Sequence, residues 1–405
     1  MKYLVFLFSF LTLAACTNKQ VDLIPAGEMP SNSSVVIFLH GYYGSALVQP
    51  EENKIYYPGL KEALIGRFPI ALESHQLSLP SDPNLVAAGT IGKVVVIPGL
   101  YEIDVYEQGI QNLGKDLKIY SFSYDWRTDL FSVVQDLDIV VQELKDRGNS
   151  VSLLAHSMGG LVASYYLAYG PKEPHEAEMN WGGARLIDRA VFLGTPFNGS
   201  VSIFRNMIYG TGYTWNEDAL SALSVSSFAS SYFLLPFKAS IFETTNSNAA
   251  QPLPLASAEF WKENKIGLAA EQFDEAIFKQ RFRYMETKLL RANSFVDLLF
   301  KQGVPPAKLR ILNVVGKGRS TLARGFYSAE KKAFALRPSE AKELQIDFSK
   351  LEEDGDSSVP MASAQMPPAF ASVTEVFPSG DLHDRLMDSS TTRDKILDFL
   401  KRKDP

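Results

Sequence analysis

Residues 151–160 read Val151-Ser152-Leu153-Leu154-Ala155-His156-Ser157-Met158-Gly159-Gly160: a short apolar run, a tight turn and the start of a helix. Ser157 sits in the turn. Ala155 lies two residues before it and Gly159 two after, and small residues there let strand and helix pass closely around a strained serine. The pattern is G-x-S-x-G with Ala155 in place of the first glycine. A serine at a helix N-terminus also offers the positive end of the helix dipole to a developing oxyanion. Its chemistry would be nucleophilic attack, which needs a base, an acid to orient the base, and two backbone donors for the oxyanion.

There are five histidines: His40, His75, His156, His175 and His383. The chain order that goes with this turn is Ser, acid, His. Only His383, in Asp381-Leu382-His383-Asp384, follows the late strands, so it is the expected general base. It would take the Ser157 proton and return it to the leaving group. His156 adjoins the serine, but strand alternation is expected to point it elsewhere. The acid should precede His383 and follow a strand. Residues 352–360 offer Asp354 and Asp356. Asp356 is better placed, because Gly355 allows a tight loop and Val359 can re-enter the core. Residues 352–354 then read as a solvated acidic loop. Met158 N–H is one oxyanion donor by position. The second is expected from Tyr42 N–H in His40-Gly41-Tyr42, where Gly41 lets the backbone turn. Asp125-Trp126-Arg127 fits no such role. Arg127 is expected to pair with a carboxylate and pin a loop above the sheet, with polar contact to a lipid head group as the alternative.

These residues need elements to hold them. Val35-Val36-Ile37-Phe38-Leu39 and Val151-Ser152-Leu153-Leu154 are short runs of the kind buried on both faces of a sheet. Further strands are expected at 94–97, 119–124, 189–193, 309–315 and 373–377. Helices are expected at 105–113, 130–147, 161–169 and 396–401. The clearest is 130–147, with apolar residues at 130, 133, 134, 137, 140, 141 and 144, stopped by Gly148. Alternating strands and helices imply a mostly parallel sheet covered by helices on both faces. Residues 45–90 read as an excursion with little regular core. Residues 201–304 break the rhythm and read as an inserted, largely helical cap. The hydrolase core is then 35–200 and 305–405.

The 405 residues suffice for one large α/β domain with an insertion. A formal charge of -6 and the lack of a Lys/Arg run disfavour nucleic acid as a partner. The same balance disfavours electrostatic adhesion to an anionic membrane, so membrane contact should be apolar or covalent. Residues 1–15 read as a signal peptide: Lys2, an apolar run over 3–13, then Leu13-Ala14-Ala15-Cys16. That ending resembles the lipobox of bacterial lipoproteins. Cys16 would be lipidated and become the mature N-terminus, followed by a polar tether over 16–34. The expected location is the bacterial cell envelope, lipid-anchored, at the outer membrane or periplasmic face. Cys16 is the only cysteine, so the domain holds no disulfide and depends on core burial. No cofactor is expected, and no metal cluster is visible in the sequence.

The segments together resemble the lecithin:cholesterol acyltransferase family, which includes lysosomal phospholipase A2, in the form of a bacterial lipoprotein. The matching pieces are His40-Gly41-Tyr42-Tyr43-Gly44-Ser45, Pro98-Gly99, Tyr124-Asp125-Trp126-Arg127, the Ala155 to Gly160 turn, Leu193-Gly194-Thr195-Pro196-Phe197-Asn198-Gly199-Ser200, Asp354-Gly355-Asp356-Ser357-Ser358-Val359-Pro360 and His383. They run in the family's order. The resemblance implies the α/β-hydrolase fold and acyl transfer from a lipid or phospholipid ester through an acyl-serine. It carries catalysis onto Ser157, Asp356 and His383, and the oxyanion donors onto Tyr42 and Met158. Water as acceptor makes a lipase or phospholipase; an alcohol makes an acyltransferase. A non-catalytic envelope lipoprotein is the reading from another class. The disulfides of animal members cannot form here, so residues 45–90 must be held in another way.

Overall fold

The computed structural model describes residues 21–402, apart from 53, 80–83, 98–100, 214–215, 239–240, 244–250 and 271–273. The expected signal peptide, Cys16 and Pro98-Gly99 lie outside the described residues. Six strands form one all-parallel sheet, and five more form an antiparallel sheet beside it. In chain order the strands of these two sheets are β1 (Val21–Ile24), β2 (Ser34–Leu39), β3 (Ser45–Gln49), β4 (Lys54–Tyr57), β5 (Val86–Ile97), β6 (Tyr101–Asp104), β7 (Lys118–Phe122), β8 (Ser150–His156), β9 (Arg189–Leu193), β10 (Arg310–Gly316) and β11 (Thr374–Ser379). The parallel order is β11-β10-β9-β8-β2-β7.

Helices cover both faces of the parallel sheet. They are α1 (Glu107–Gly114), α2 (Leu130–Asp146), α3 (Met158–Tyr169) and, at the C-terminal end, α9 (Ser390–Lys401). Every residue of α3 is buried. Such a helix must lie inside the fold, and its apolar surface all round is what permits it. In α2, Asp129 caps the first turn by accepting from Phe131 N–H, while its apolar stripe faces the core. The central strands β8, β9 and β10 are buried almost throughout, so they read as unbroken apolar runs.

Three expectations need correcting here. Val94 to Ile97 is not a strand of the parallel sheet. It is the end of β5, which pairs antiparallel with β1, β3 and β6. Four apolar residues in a row cannot report which sheet they join, and Val94 is buried while Val95 is only half-buried. Residues 45–90 are accordingly not an excursion without a core. They supply β3, β4 and the start of β5, and Leu47, Tyr57, Phe68, Ile70 and Leu77 are buried. Part of the segment expected as a tether, 16–34, is folded as well. β1 pairs with β5, with Val21 opposite Val94, and Val21 is buried.

Residues 201–304 are largely helical: α4 (Val201–Tyr209), α5 (Ala222–Ser227), α6 (Ala229–Phe233), α7 (Ala258–Glu263) and α8 (Glu275–Leu299). Short strands occur as well. Ile241–Glu243 joins a small sheet with Gln251–Pro252, Gly325–Ser328 and Ala333–Ala335. The cap therefore shares a sheet with residues beyond 304. Its long helix α8 is tied to the core by Arg291, whose Nε lies 2.7 Å from the Asp129 carboxylate. Phe295 packs on Phe131 and Tyr165 beneath it.

Arg127 shows how residues 45–90 stay in place without a disulfide. Its guanidinium is buried and donates to Asp125 from Nε at 3.0 Å and from Nη2 at 2.6 Å. It also donates to the carbonyls of Ile70 at 2.9 Å and Leu85 at 3.2 Å. Of the two roles expected for Arg127, this is the structural one. Removing it takes the guanidinium from Asp125, which keeps only the Arg127 backbone N–H, and from the two carbonyls. R127A should cost about 3 kcal/mol of stability, and R127K should recover only part of it because ammonium lacks the planar fork. The urea midpoint of each variant measures this; an unchanged midpoint in R127A would refute it.

Candidate active site

β8 ends at His156, and α3 begins at Met158. Ser157 between them has φ 53° and ψ -124°. That is a left-handed backbone for a residue with a Cβ, and it costs energy unless the surroundings impose it. They do: Ser157 N–H donates to Leu193 O at 2.8 Å, and Ser157 O accepts from Gly160 N–H at 2.9 Å. The side chain is thus thrust out at the C-terminal edge of the parallel sheet.

His383 lies in the loop after β11. Its Nε2 is 3.0 Å from Ser157 Oγ, and its Nδ1 is 2.8 Å from Asp356 Oδ2. Asp356 is wholly buried, yet its carboxyl is held below its ordinary value. Burial alone would raise it; attraction to His383, the hydrogen bond from His383 and the N–H groups of Val359 and Ser358 outweigh that. Those N–H groups donate to Oδ1 at 2.6 and 3.0 Å. A carboxylate so supplied stays ionised and holds the imidazole in one orientation. Asp354, the other acid considered, lies on the neighbouring strand segment Glu352–Gly355 and accepts from Gly318 N–H instead. The His383 loop is braced by Asp381, whose Oδ2 accepts from the hydroxyls of Ser379, Ser389 and Thr392 at 2.6, 2.6 and 3.0 Å.

Gly41 stands directly against the serine. A Cβ on Gly41 would come within 2.8 Å of Ser157 Cβ, so only glycine fits. The Gly41 carbonyl accepts from His40 Nδ1 at 2.9 Å and from Gly44 N–H at 3.1 Å. With that end of the planar Gly41–Tyr42 peptide held, its other end, the Tyr42 N–H, is held too. His40 is in turn fixed by Tyr124, whose N–H donates to His40 Nε2 at 3.3 Å and whose ring stacks on the imidazole at 4.1 Å. Tyr124 hydroxyl donates to His40 O at 2.6 Å. Trp126 then fills the space behind, packed against Tyr42, Tyr43 and Phe228. Met158 is buried at the first position of α3.

Two groups near the line escaped the sequence reading. Gly194 has φ +56°, and a Cβ there would meet Asp356 Oδ2 at 2.9 Å and His383 Nδ1 at 3.0 Å. A glycine after β9 in Gly194-Thr195-Pro196 was the available signal. His156 does turn away from Ser157 Oγ, but toward the backbone of His383, 2.9 Å away. Alternation along a strand predicts the face, not the partner. His75 and His175 take no part.

A serine, an imidazole and a carboxylate in this line can pass the hydroxyl proton to the imidazole while the carboxylate stabilises the cation formed. The fold and this arrangement define an α/β-hydrolase. The sequence model of the lecithin:cholesterol acyltransferase family matches residues 102–367, and the chain belongs to that family. It is therefore an enzyme of the esterase and acyltransferase kind. No curated protein matches it in sequence. Among solved structures, the Tle4–Tli4 complex contains a chain that superposes with a TM-score of 0.52 at 12% identity, covering 93% of this chain and 100% of that one. The mature lipase BlEst2 of Bacillus licheniformis has a TM-score of 0.37 at 13% identity, covering 94% and 96%. Lipase B of Aspergillus fumigatus has a TM-score of 0.37 at 9% identity, covering 96% and 59%.

The buried histidines make stability depend on pH. Burial lowers the pKa of His40 to about 4, and burial with His383 nearby lowers that of His156 to about 3. Both stay neutral in the fold where the unfolded chain, with a pKa of about 6.5, takes up protons. Stability should be full above pH ~6.5 and fall as pH drops toward 4. Melting temperatures between pH 7.5 and 4 measure this, and H156Q should lessen the fall. A flat profile across that range would refute it.

Proposed function

We propose that the protein is a serine hydrolase that cleaves a lipid ester, as a lipase or phospholipase, through an acyl-serine intermediate. The observation that carries this is the position of His383, whose two ring nitrogens lie 3.0 Å from Ser157 Oγ and 2.8 Å from Asp356 Oδ2. Ser157 Oγ attacks the ester carbonyl carbon, and its proton passes to His383 Nε2. The Tyr42 and Met158 N–H groups stabilise the resulting oxyanion. The tetrahedral intermediate collapses, and His383 gives its proton to the departing alcohol oxygen. Water then attacks the acyl-serine by the same route. The lipid character of the ester rests on family membership.

The same membership favours a second reading, in which an alcohol replaces water in the last step and the product is a new ester. Mass analysis of products from phospholipid and acylglycerol substrates, with and without an added alcohol acceptor, separates the two.

S157A should lower ester turnover by about 10⁴-fold or more, and D356N by about 10⁴-fold, both in the full chain purified in detergent. A fluorophosphonate probe should label the native chain and not S157A. Turnover surviving in S157A would exclude the mechanism, and an unlabelled, inactive native chain would favour a binding role.

The anchored form is also our proposal. It rests on Leu13-Ala14-Ala15-Cys16 after the apolar run. Lipid on Cys16 would hold the enzyme on an envelope membrane, beside an insoluble substrate, raising its effective concentration there. Labelled palmitate should enter the native protein in bacterial cells and not C16S, and C16S should leave the membrane fraction. Equal labelling of both would refute the anchor.

A further inference from the structure

Behind Ser157, His383 and Asp356 runs a second chain of hydrogen bonds that the mechanism above does not use. His156 Nε2 lies 2.9 Å from the carbonyl oxygen of His383. His156 Nδ1 lies 2.8 Å from the hydroxyl of Tyr106, and that oxygen lies 3.0 Å from the N–H of Gly41. Tyr106 is 4% and His156 6% exposed, so water does not compete for these bonds.

The proton positions follow from the ends of the chain. A carbonyl only accepts, so His156 Nε2 carries a hydrogen and donates to His383 O. Burial keeps the ring neutral, which leaves Nδ1 as a bare acceptor. Tyr106 hydroxyl must therefore donate to Nδ1, and its oxygen accepts from Gly41 N–H. Burial also pushes the Tyr106 phenol above its ordinary range, so the hydroxyl keeps its proton. The chain has one direction and no competing tautomer.

What it joins matters more than its length. At one end it grips the peptide of the imidazole-bearing residue. The His383 N–H already donates to Asp356 O at 3.0 Å, so both backbone groups of His383 are held. At the other end it grips the amide of Gly41, whose backbone abuts Ser157. Tyr106 precedes α1, and His156 precedes the serine. A single Tyr–His pair thus connects the loop of the oxyanion donor to the loop of the base, passing behind the nucleophile turn.

We propose that Tyr106 and His156 are positioning residues for acyl transfer, setting the distance between the Gly41–Tyr42 loop and His383. The inference rests on the reading of Ser157 and His383 as nucleophile and base. Buried networks that are fully satisfied hold such distances, and small misplacements of reacting groups cost rate far more than affinity.

The test uses Y106F, H156L, H156Q and the double variant Y106F/H156L in the full chain in detergent, with p-nitrophenyl butyrate as substrate. Turnover is counted per site titrated with a fluorophosphonate. Y106F and H156L should lower kcat about ten- to a hundredfold with KM nearly unchanged. They should weaken inhibition by an alkyl boronic acid, which forms a tetrahedral adduct on serine, in the same proportion. H156Q keeps a donor for His383 O and an acceptor for Tyr106, so it should recover most of the loss. The double variant should lose no more than the worse single one, because both break the same chain. Near-native kcat per titrated site in Y106F and H156L, beside an inactive S157A, would overturn the positioning role and leave the mechanism standing. A loss that appears only as fewer titratable sites would reduce the pair to packing and overturn it as well. Turnover persisting in S157A would overturn the mechanism instead.

Discussion

His383 must reach Ser157 with one nitrogen and Asp356 with the other, although Ser157 lies 226 residues before it in the chain. Few placements of the ring satisfy both contacts. The rest of the molecule is arranged around that requirement. β8, β9, β10 and β11 run parallel and in adjacent positions, so the turns after them open on the same edge. The serine follows β8, Gly194 follows β9, and the histidine loop follows β11. Asp356 comes from the segment between β10 and β11. A parallel sheet is suited to this because each crossover returns the chain to the same end.

Much of this was readable in advance, for physical reasons. Strands buried on both faces can tolerate few polar groups, which is why β2, β8, β9 and β10 stand out as apolar runs. The strained turn admits only small neighbours, which is why Ser157 is conspicuous. Only one histidine follows the late strands, which made His383 the candidate base. Asp356 was preferred to Asp354 because Gly355 allows the loop to turn and Val359 re-enters the core, and it is Asp356 that meets His383. The antiparallel sheet was illegible. Only the end of β5 forms an apolar run, which does not report its sheet, and β1, β3 and β4 show no clean alternation of buried and exposed residues. The connection of Tyr106 to His156 lay beyond any pattern, since it joins residues 50 apart through side chains.

The site also illustrates how burial can simplify chemistry. His40 and His156 stand beside the candidate site, and in water either would titrate near neutral pH. Inside the protein both are pushed toward the neutral form. Each then offers one donor and one acceptor, and each uses both. These two imidazoles serve as fixed connectors. The Tyr124 to Arg127 segment works in a similar way at longer range, with Tyr124 and Trp126 holding the Gly41 loop and Arg127 holding residues 45–90.

The early start of β1 has a mechanical consequence. If Cys16 bears the lipid, only residues 17–20 separate the acyl chains from the folded sheet. Fully stretched, that link spans about 17 Å, less than the radius of gyration of about 20 Å expected for a domain of this length. Such a leash is too short for the domain to swing freely. It would keep β1 and the antiparallel sheet close to the head groups and confine the enzyme to a thin shell. Its working surface would then be the leaflet that carries it, and a substrate in an opposing membrane would have to be brought to it.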